Sequence, residues 1–112
     1  MKYTQKQLES MSDFELNVVA ANQFYESGEI TTSPAKFGVQ VHVNGAFVDD
    51  SYNPCGSWSD CGDLIDECNI NTTKGSQMCS AVSLIGIEFM QVVDVNIKRA
   101  VTITYILIKQ GE

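Results

Sequence analysis

The sequence predicts a single small α+β domain over residues 1–112, in which a small antiparallel sheet with an Asn-Gly hairpin carries about three helices. Three features predict it. Ser12 and Glu15 form a capping-box signature that opens an apolar run at helical spacing. Val39, Val41 and Val43 alternate with Gln40, His42 and Asn44, and Asn44-Gly45 follows as a two-residue turn pair. Residues 80–95 are apolar on both alternating faces, as in a strand covered on both sides. A chain of 112 residues buries about 65% of its unfolded surface, enough for a core without staples.

The N-terminus, residues 1–7, is polar and has no apolar h-region, so no secretion signal is expected there. In the first helix Met11 and Leu16 stand where a hydrophobic staple places its pair. Phe14, Val18, Ala21 and Tyr25 follow as the expected apolar face. Residues 27–35 hold Gly28, Pro34, two Thr and two Ser, and read as a connector. The hairpin returns through Ala46, Phe47 and Val48, a register that sets Val41 opposite Val48 and His42 opposite Phe47.

A second helix is expected from 57 or 59 to 68. Trp58, Cys61, Leu64, Ile65 and Cys68 fall on its apolar side, and Asp60, Asp63, Asp66 and Glu67 on the other. Within 80–95, Ile85, Ile87 and Phe89 face one way and Val82, Leu84, Met90 and Val92 the other. The run 101–108 is ambiguous. Its β-branched residues favour a strand, whereas Ile97, Ala100, Val101, Thr104 and Ile108 share a helical face that Asp94 or Asn96 could cap. The residues alone leave both open.

The net charge of −7, from 14 acids against 7 bases, opposes nucleic acid and anionic membrane as partners, because both carry the same sign. The acids are scattered, which argues against a mimic of DNA. No run approaches the roughly 18 apolar residues of a membrane span. Phe47 and Tyr105 could face solvent or a second copy, so a homo-oligomer stays open.

Four cysteines, Cys55, Cys61, Cys68 and Cys79, are spaced six, seven and eleven residues apart. Zinc sites use pairs two to four apart. On a helix, Cys61 and Cys68 would stand about 10 Å apart along the axis. Reduced, structural thiols are the reading, with no metal and no cofactor. The sequon Asn71-Thr72-Thr73 carries no meaning in a cytoplasm. A Cys55–His42 nucleophile and base would need the only histidine, which the hairpin carries. Asp60, Asp63, Asp66 and Glu67 could serve hydrolysis or bind Mg²⁺, but an acidic solvated helix face accounts for them. No phosphate-loop pattern occurs, and no residue is assigned a catalytic role.

The candidate site is the turn at 52–58, with Tyr52, Asn53, Cys55, Trp58 and Asp60 as its binding residues. It sets an aromatic at each end of a tight turn leading into a helix N-terminus, a geometry that offers N–H groups to an anion or a loop to a partner. The alternative is that Trp58 is a core residue and the turn a plain link.

Three stretches together resemble the NinX-like family of small phage proteins. They are Ser12-Asp13-Phe14-Glu15-Leu16-Asn17 with Val19-Ala20; Asn53-Pro54-Cys55 through Asp60, Gly62 and Leu64-Ile65 to Asn69-Ile70; and Asn96-Ile97-Lys98-Arg99-Ala100 before an apolar tail. The sequence departs at Ile97, where the family usually has proline, and residues 71–95 do not align. The resemblance implies a phage-encoded protein in the cytoplasm of a bacterial host and a relation to phage α/β/α sandwich domains, which tips 101–108 toward helix. It carries over no catalytic residue. The expected function is a non-enzymatic accessory protein that binds and modulates a host protein. The alternatives are a binder of a nucleotide or other small ligand, and a small hydrolase-type enzyme.

Overall fold

The computed structural model describes residues 3–25, 28–68, 70–74, 79–85, 88–94 and 96–111. Among the described residues, four helices and two three-stranded antiparallel sheets make an α+β domain. The order is α1 (Gln5–Glu9), α2 (Asp13–Phe24), β1 (Ile30–Ala35), β2 (Gly38–Val43), β3 (Ala46–Tyr52), α3 (Trp58–Cys68), β4 (Asn71–Lys74), β5 (Cys79–Ile85), β6 (Glu88–Asp94) and α4 (Ile97–Gly111). Each sheet is a meander, β1-β2-β3 and β4-β5-β6.

Local chemistry starts the helices. Ser12 Oγ accepts from the Glu15 N–H at 3.2 Å while Glu15 Oε1 accepts from the Ser12 N–H at 3.1 Å. Thr4 and Gln7 repeat the device before α1, a short helix within the polar N-terminal stretch for which no helix is expected from the sequence. Asn96 caps α4 by accepting from the N–H groups of Lys98 and Arg99.

Helix α4 resolves the ambiguous tail. It packs against α1, α2, α3 and all three strands of the second sheet. Ala100 through Ile106 and Ile108 are buried, and Leu107 is half-buried. A helix covered on all sides gains from apolar bulk at every position, and that burial outweighs the small helix penalty of Ile, Val and Thr. The buried Thr102 and Thr104 hydroxyls donate to the Lys98 and Ala100 carbonyls, each at 2.8 Å.

Several expectations are corrected. Residues 30–35 are not a connector but an edge strand, on which Pro34 opposite Val39 is tolerated. Residues 80–94 are not one strand but the pair β5 and β6, in register from Cys79↔Asp94 to Ile85↔Glu88. A single strand over 80–95 would run roughly 50 Å at about 3.3 Å per residue, beyond the 39 Å longest extent of the molecule. Val92 is buried; the facings expected of Val82, Leu84, Ile85, Phe89 and Met90, together with Ser27, Asn69, Ile87 and Val95, lie outside what is described.

In α2 the buried stripe is Leu16, Asn17, Ala20 and Ala21, and Phe14 stands outside it at 42% exposure. Tyr105 is fully buried, with its hydroxyl donating to Glu67 at 3.0 Å, whereas Phe47 is exposed. Asn44 and Gly45 take φ of 52° and 82° between β2 and β3. His42 faces Phe47, but Val41 pairs with Asp49 and Val39 with Tyr52. Two register shifts insert extra residues in β3. They turn Asp50 out and bring Tyr52 opposite the buried Val39, at the end of the sheet where the candidate turn begins.

Candidate functional site

The turn after β3 is built around Asn53. Its backbone N–H donates to Asp60 Oδ2 at 2.9 Å, and its carbonyl accepts from Gly56 and Ser57 at 3.1 and 2.7 Å. Its side-chain Oδ1 accepts from Asn17 Nδ2 at 2.8 Å, and its Nδ2 donates to the Phe37 carbonyl at 3.2 Å. Asn17, buried in α2, uses its own Oδ1 to accept from the Cys55 N–H at 3.2 Å. Asn53 thus joins α2, the β1–β2 turn and the start of α3. The packing leaves no room for added side chains. A Cβ on Gly56 would lie 2.6 Å from Asn53 Nδ2, and one on Gly38, at φ 152°, would lie 2.6 Å from the Tyr52 carbonyl.

The residues expected to form one ligand-facing turn are therefore divided. Tyr52 belongs to the core, its ring stacked on Phe24 at 5.9 Å and edge-on to Tyr25 at 5.5 Å. Its buried hydroxyl has no hydrogen-bond partner among the described residues, and burial pushes its pKa far up. Cys55 is buried, and burial raises its thiol to about 12; Cys61, likewise buried, is raised to about 11. Asn53 and Asp60 are brought together, but each is spent on the other. Burial raises the Asp60 pKa, the Asn53 N–H opposes that, and Asp49 and Asp63 add to it. Trp58 stands outside the core, so the alternative of a core Trp58 is not what the fold shows, although helical spacing groups it with Cys61 and Leu64. It is 56% exposed with the Lys98 ammonium 5.1 Å over its ring.

His42 lies near the Asn44-Gly45 end of the hairpin, edge-on to Phe47 at 5.7 Å. Cys55 follows Tyr52 at the opposite end, so the strand geometry separates thiol from imidazole by roughly 10 Å or more. Among the described residues no three His, Cys, Asp or Glu side chains are grouped to hold a metal ion.

The open space beside the turn is a cleft of about 400 Å³ between α2 and the β1–β2 turn. The Asn17 and Asn53 side chains and Gly56 line it, Asp13 and Lys36 stand on its rim, and the Phe14 and Phe37 rings flank it. Phe14 is 42% and Phe37 69% exposed, and the Lys36 ammonium lies 5.2 Å over the Phe37 ring. On its far side Phe14 walls a second hollow of about 240 Å³ with Tyr3, Met11, Val18 and Val19. Arg99 anchors the rim. Its guanidinium bonds Asp13 at 2.7 Å, Asp94 at 3.2 Å, and the carbonyls of Glu9 and Met11.

The sequence reading missed this cleft. Phe14 fitted a helical face, and Phe37 fell between a connector and a strand where no periodicity applied. The one available signal was an aromatic at a turn position, Lys36-Phe37-Gly38, where nothing requires it for packing.

The residues that build this framework, Asn17, Asn53, Cys55, Asn96 and Arg99, come from the three stretches quoted from the sequence. The family model described as bacteriophage P22 NinX matches residues 7–109. The chain belongs to the NinX family. No curated protein matches it significantly. These stretches of the NinX-family chain are thus placed where they hold the fold and support the cleft floor. Among its described residues no helix is long and apolar enough to cross a membrane.

Proposed function

We propose that this NinX-family protein is a non-enzymatic binding protein that engages and modulates a protein of the bacterial host, in its cytoplasm, through the cleft between α2 and the β1–β2 turn. The observation that carries this reading is the pair of exposed phenylalanines, Phe14 and Phe37, standing over a floor immobilised by the Asn17–Asn53 bond. Exposed aromatics at the edge of a rigid hollow are what protein interfaces use as anchors. The titratable groups support the same reading. Cys55 and Cys61 are buried and held protonated, and Asp60 is committed to the backbone of Asn53.

The test is affinity capture from infected cells with three tagged forms: wild type, F14S/F37S, and F47S. Phe47 is a matched control, 57% exposed at the other end of the hairpin. A host protein retained by wild type and F47S but lost from F14S/F37S is the expected result. Capture that survives F14S/F37S contradicts the reading.

The cleft volume favours a second reading, a small-molecule binder, because about 400 Å³ falls in the range of ligand pockets. A thermal-shift panel of nucleotides and metabolites separates the two. A ligand that raises the melting point of wild type but not of F37S supports the second reading.

A further inference from the structure

Two lysines, Lys36 at the cleft and Lys98 in the first turn of α4, lie on exposed aromatic rings. Lys36 sits over Phe37 and Lys98 over Trp58. Neither ammonium is within ion-pair distance of an acid among the described residues. Lys36 and Phe37 line the cleft directly. Lys98 precedes Arg99, whose guanidinium holds the rim residue Asp13, and Trp58 follows Gly56 of the cleft wall by two residues. Arg99 pairs with both Asp13 and Asp94, one cation shared between two carboxylates. On a chain of net charge −7, the cleft thus carries one cation on an apolar ring, Lys36 on Phe37, and a second such pair, Lys98 on Trp58, stands at the neighbouring starts of α4 and α3.

We propose that the cleft takes an acidic segment of the partner protein, with carboxylates at Lys36 and Lys98 and an apolar side chain between Phe14 and Phe37. The proposal rests on the protein-binding reading and names the chemistry of the partner. Local charge complementarity fixes the orientation of the segment and excludes basic competitors. Single-stranded nucleic acid also joins anions to aromatic surfaces, but the excess of acids over the rest of the chain repels a polyanion.

The test is fluorescence anisotropy of the full chain against four labelled probes. One is a peptide pool with Asp and Glu flanking a central Leu or Phe. The second carries Lys in place of the acids, the third keeps the acids but replaces the apolar residue with Ser, and the fourth is oligothymidylate. Wild type is expected to bind the first pool preferentially, about tenfold weaker at high salt. The K36E/K98E variant substitutes an exposed turn and the first turn of α4, where an acid suits the helix, and keeps the fold. It is expected to lose the first pool and gain the second.

A first pool left unbound, or bound equally by K36E/K98E, overturns the proposal, as does wild-type preference for the lysine pool or for oligothymidylate. Host-protein capture that needs Phe14 and Phe37 but ignores K36E/K98E overturns the acidic segment and leaves the cleft reading standing. Capture indifferent to F14S/F37S overturns the cleft reading itself.

Discussion

The Asn17 amide donates to the side-chain oxygen of Asn53 across 2.8 Å, tying the middle of α2 to a turn 36 residues later in the chain. Asn17 is only 3% exposed. Its other side-chain atom receives the Cys55 N–H, so one side chain satisfies two groups of the turn.

Removing it leaves the buried Cys55 N–H without a partner and takes the donor from the half-buried Asn53 oxygen. N17A is expected to cost about 2 kcal/mol, because an orphaned buried group costs about 1–3 kcal/mol. That corresponds to a fall of roughly 10 °C in melting temperature for a domain of this size. Thermal denaturation followed by circular dichroism checks it, and a melting point within a degree or two of wild type would show that the bond is incidental.

Arg99 binds α4 to the α1–α2 junction through Asp13 and the Glu9 and Met11 carbonyls, and to β6 through Asp94. R99M keeps the aliphatic stem and removes all of these bonds. The expected loss is about 2 kcal/mol. Hydrogen exchange is expected to accelerate most in residues 5–11, the segment whose carbonyls the guanidinium holds. A uniform change across the chain would place the effect elsewhere.

Asp60 provides a pH dependence. Its folded pKa is raised above the ordinary 3.8 by burial and by Asp49 and Asp63. The folded state therefore holds the proton more tightly than the unfolded chain, and ionisation of Asp60 weakens the fold as pH rises through and just above that value. D60N keeps an oxygen for the Asn53 N–H and removes the charge. It is expected to melt at or above wild type at pH 7, with the difference shrinking toward zero below about pH 4. D60A, which loses the acceptor, is expected to melt lower at both. A D60N variant destabilised at neutral pH alone would reverse the sign.

The thiols of Cys55 and Cys61 are expected to resist alkylation at pH 8 in the native protein, because the reactive form is the thiolate and burial raises both pKa values, to about 12 and about 11. Peptide mapping by mass spectrometry after iodoacetamide treatment, with and without denaturant, measures this. Rapid native labelling of Cys55 would place it in an accessible site instead.

The parts of the fold that sequence anticipated are those set by local chemistry: the capping box at Ser12, the alternating valines of β2 with their Asn44-Gly45 turn, and the amphipathic α3. What escaped depends on distant residues. The bulges in β3 that bring Tyr52 inward have no signature among nearby residues, and α4 is a helix because it is covered on every side rather than because its residues prefer one. Trp58 illustrates the limit for the site. Helical spacing placed it with Cys61 and Leu64, yet it lies at the first residue of α3, where the core ends and Lys98 covers it instead. Asn17 occupied a core position that hydrophobic patterning discounts, so the floor of the cleft was hidden with it. Two local signals do mark elements outside these: the Thr4 to Gln7 capping box before α1, and Gly86 interrupting the apolar stretch that holds β5 and β6.

The central claim, that the Phe14 and Phe37 cleft is the surface that engages a host protein, is tested most directly by site-specific photocrosslinking in infected cells. Benzoylphenylalanine replaces Phe37 in one form of the protein and Phe47 in another. The account predicts a discrete adduct with a host protein from position 37 and none from position 47. Adducts of equal yield from both positions, or from 47 alone, would contradict it.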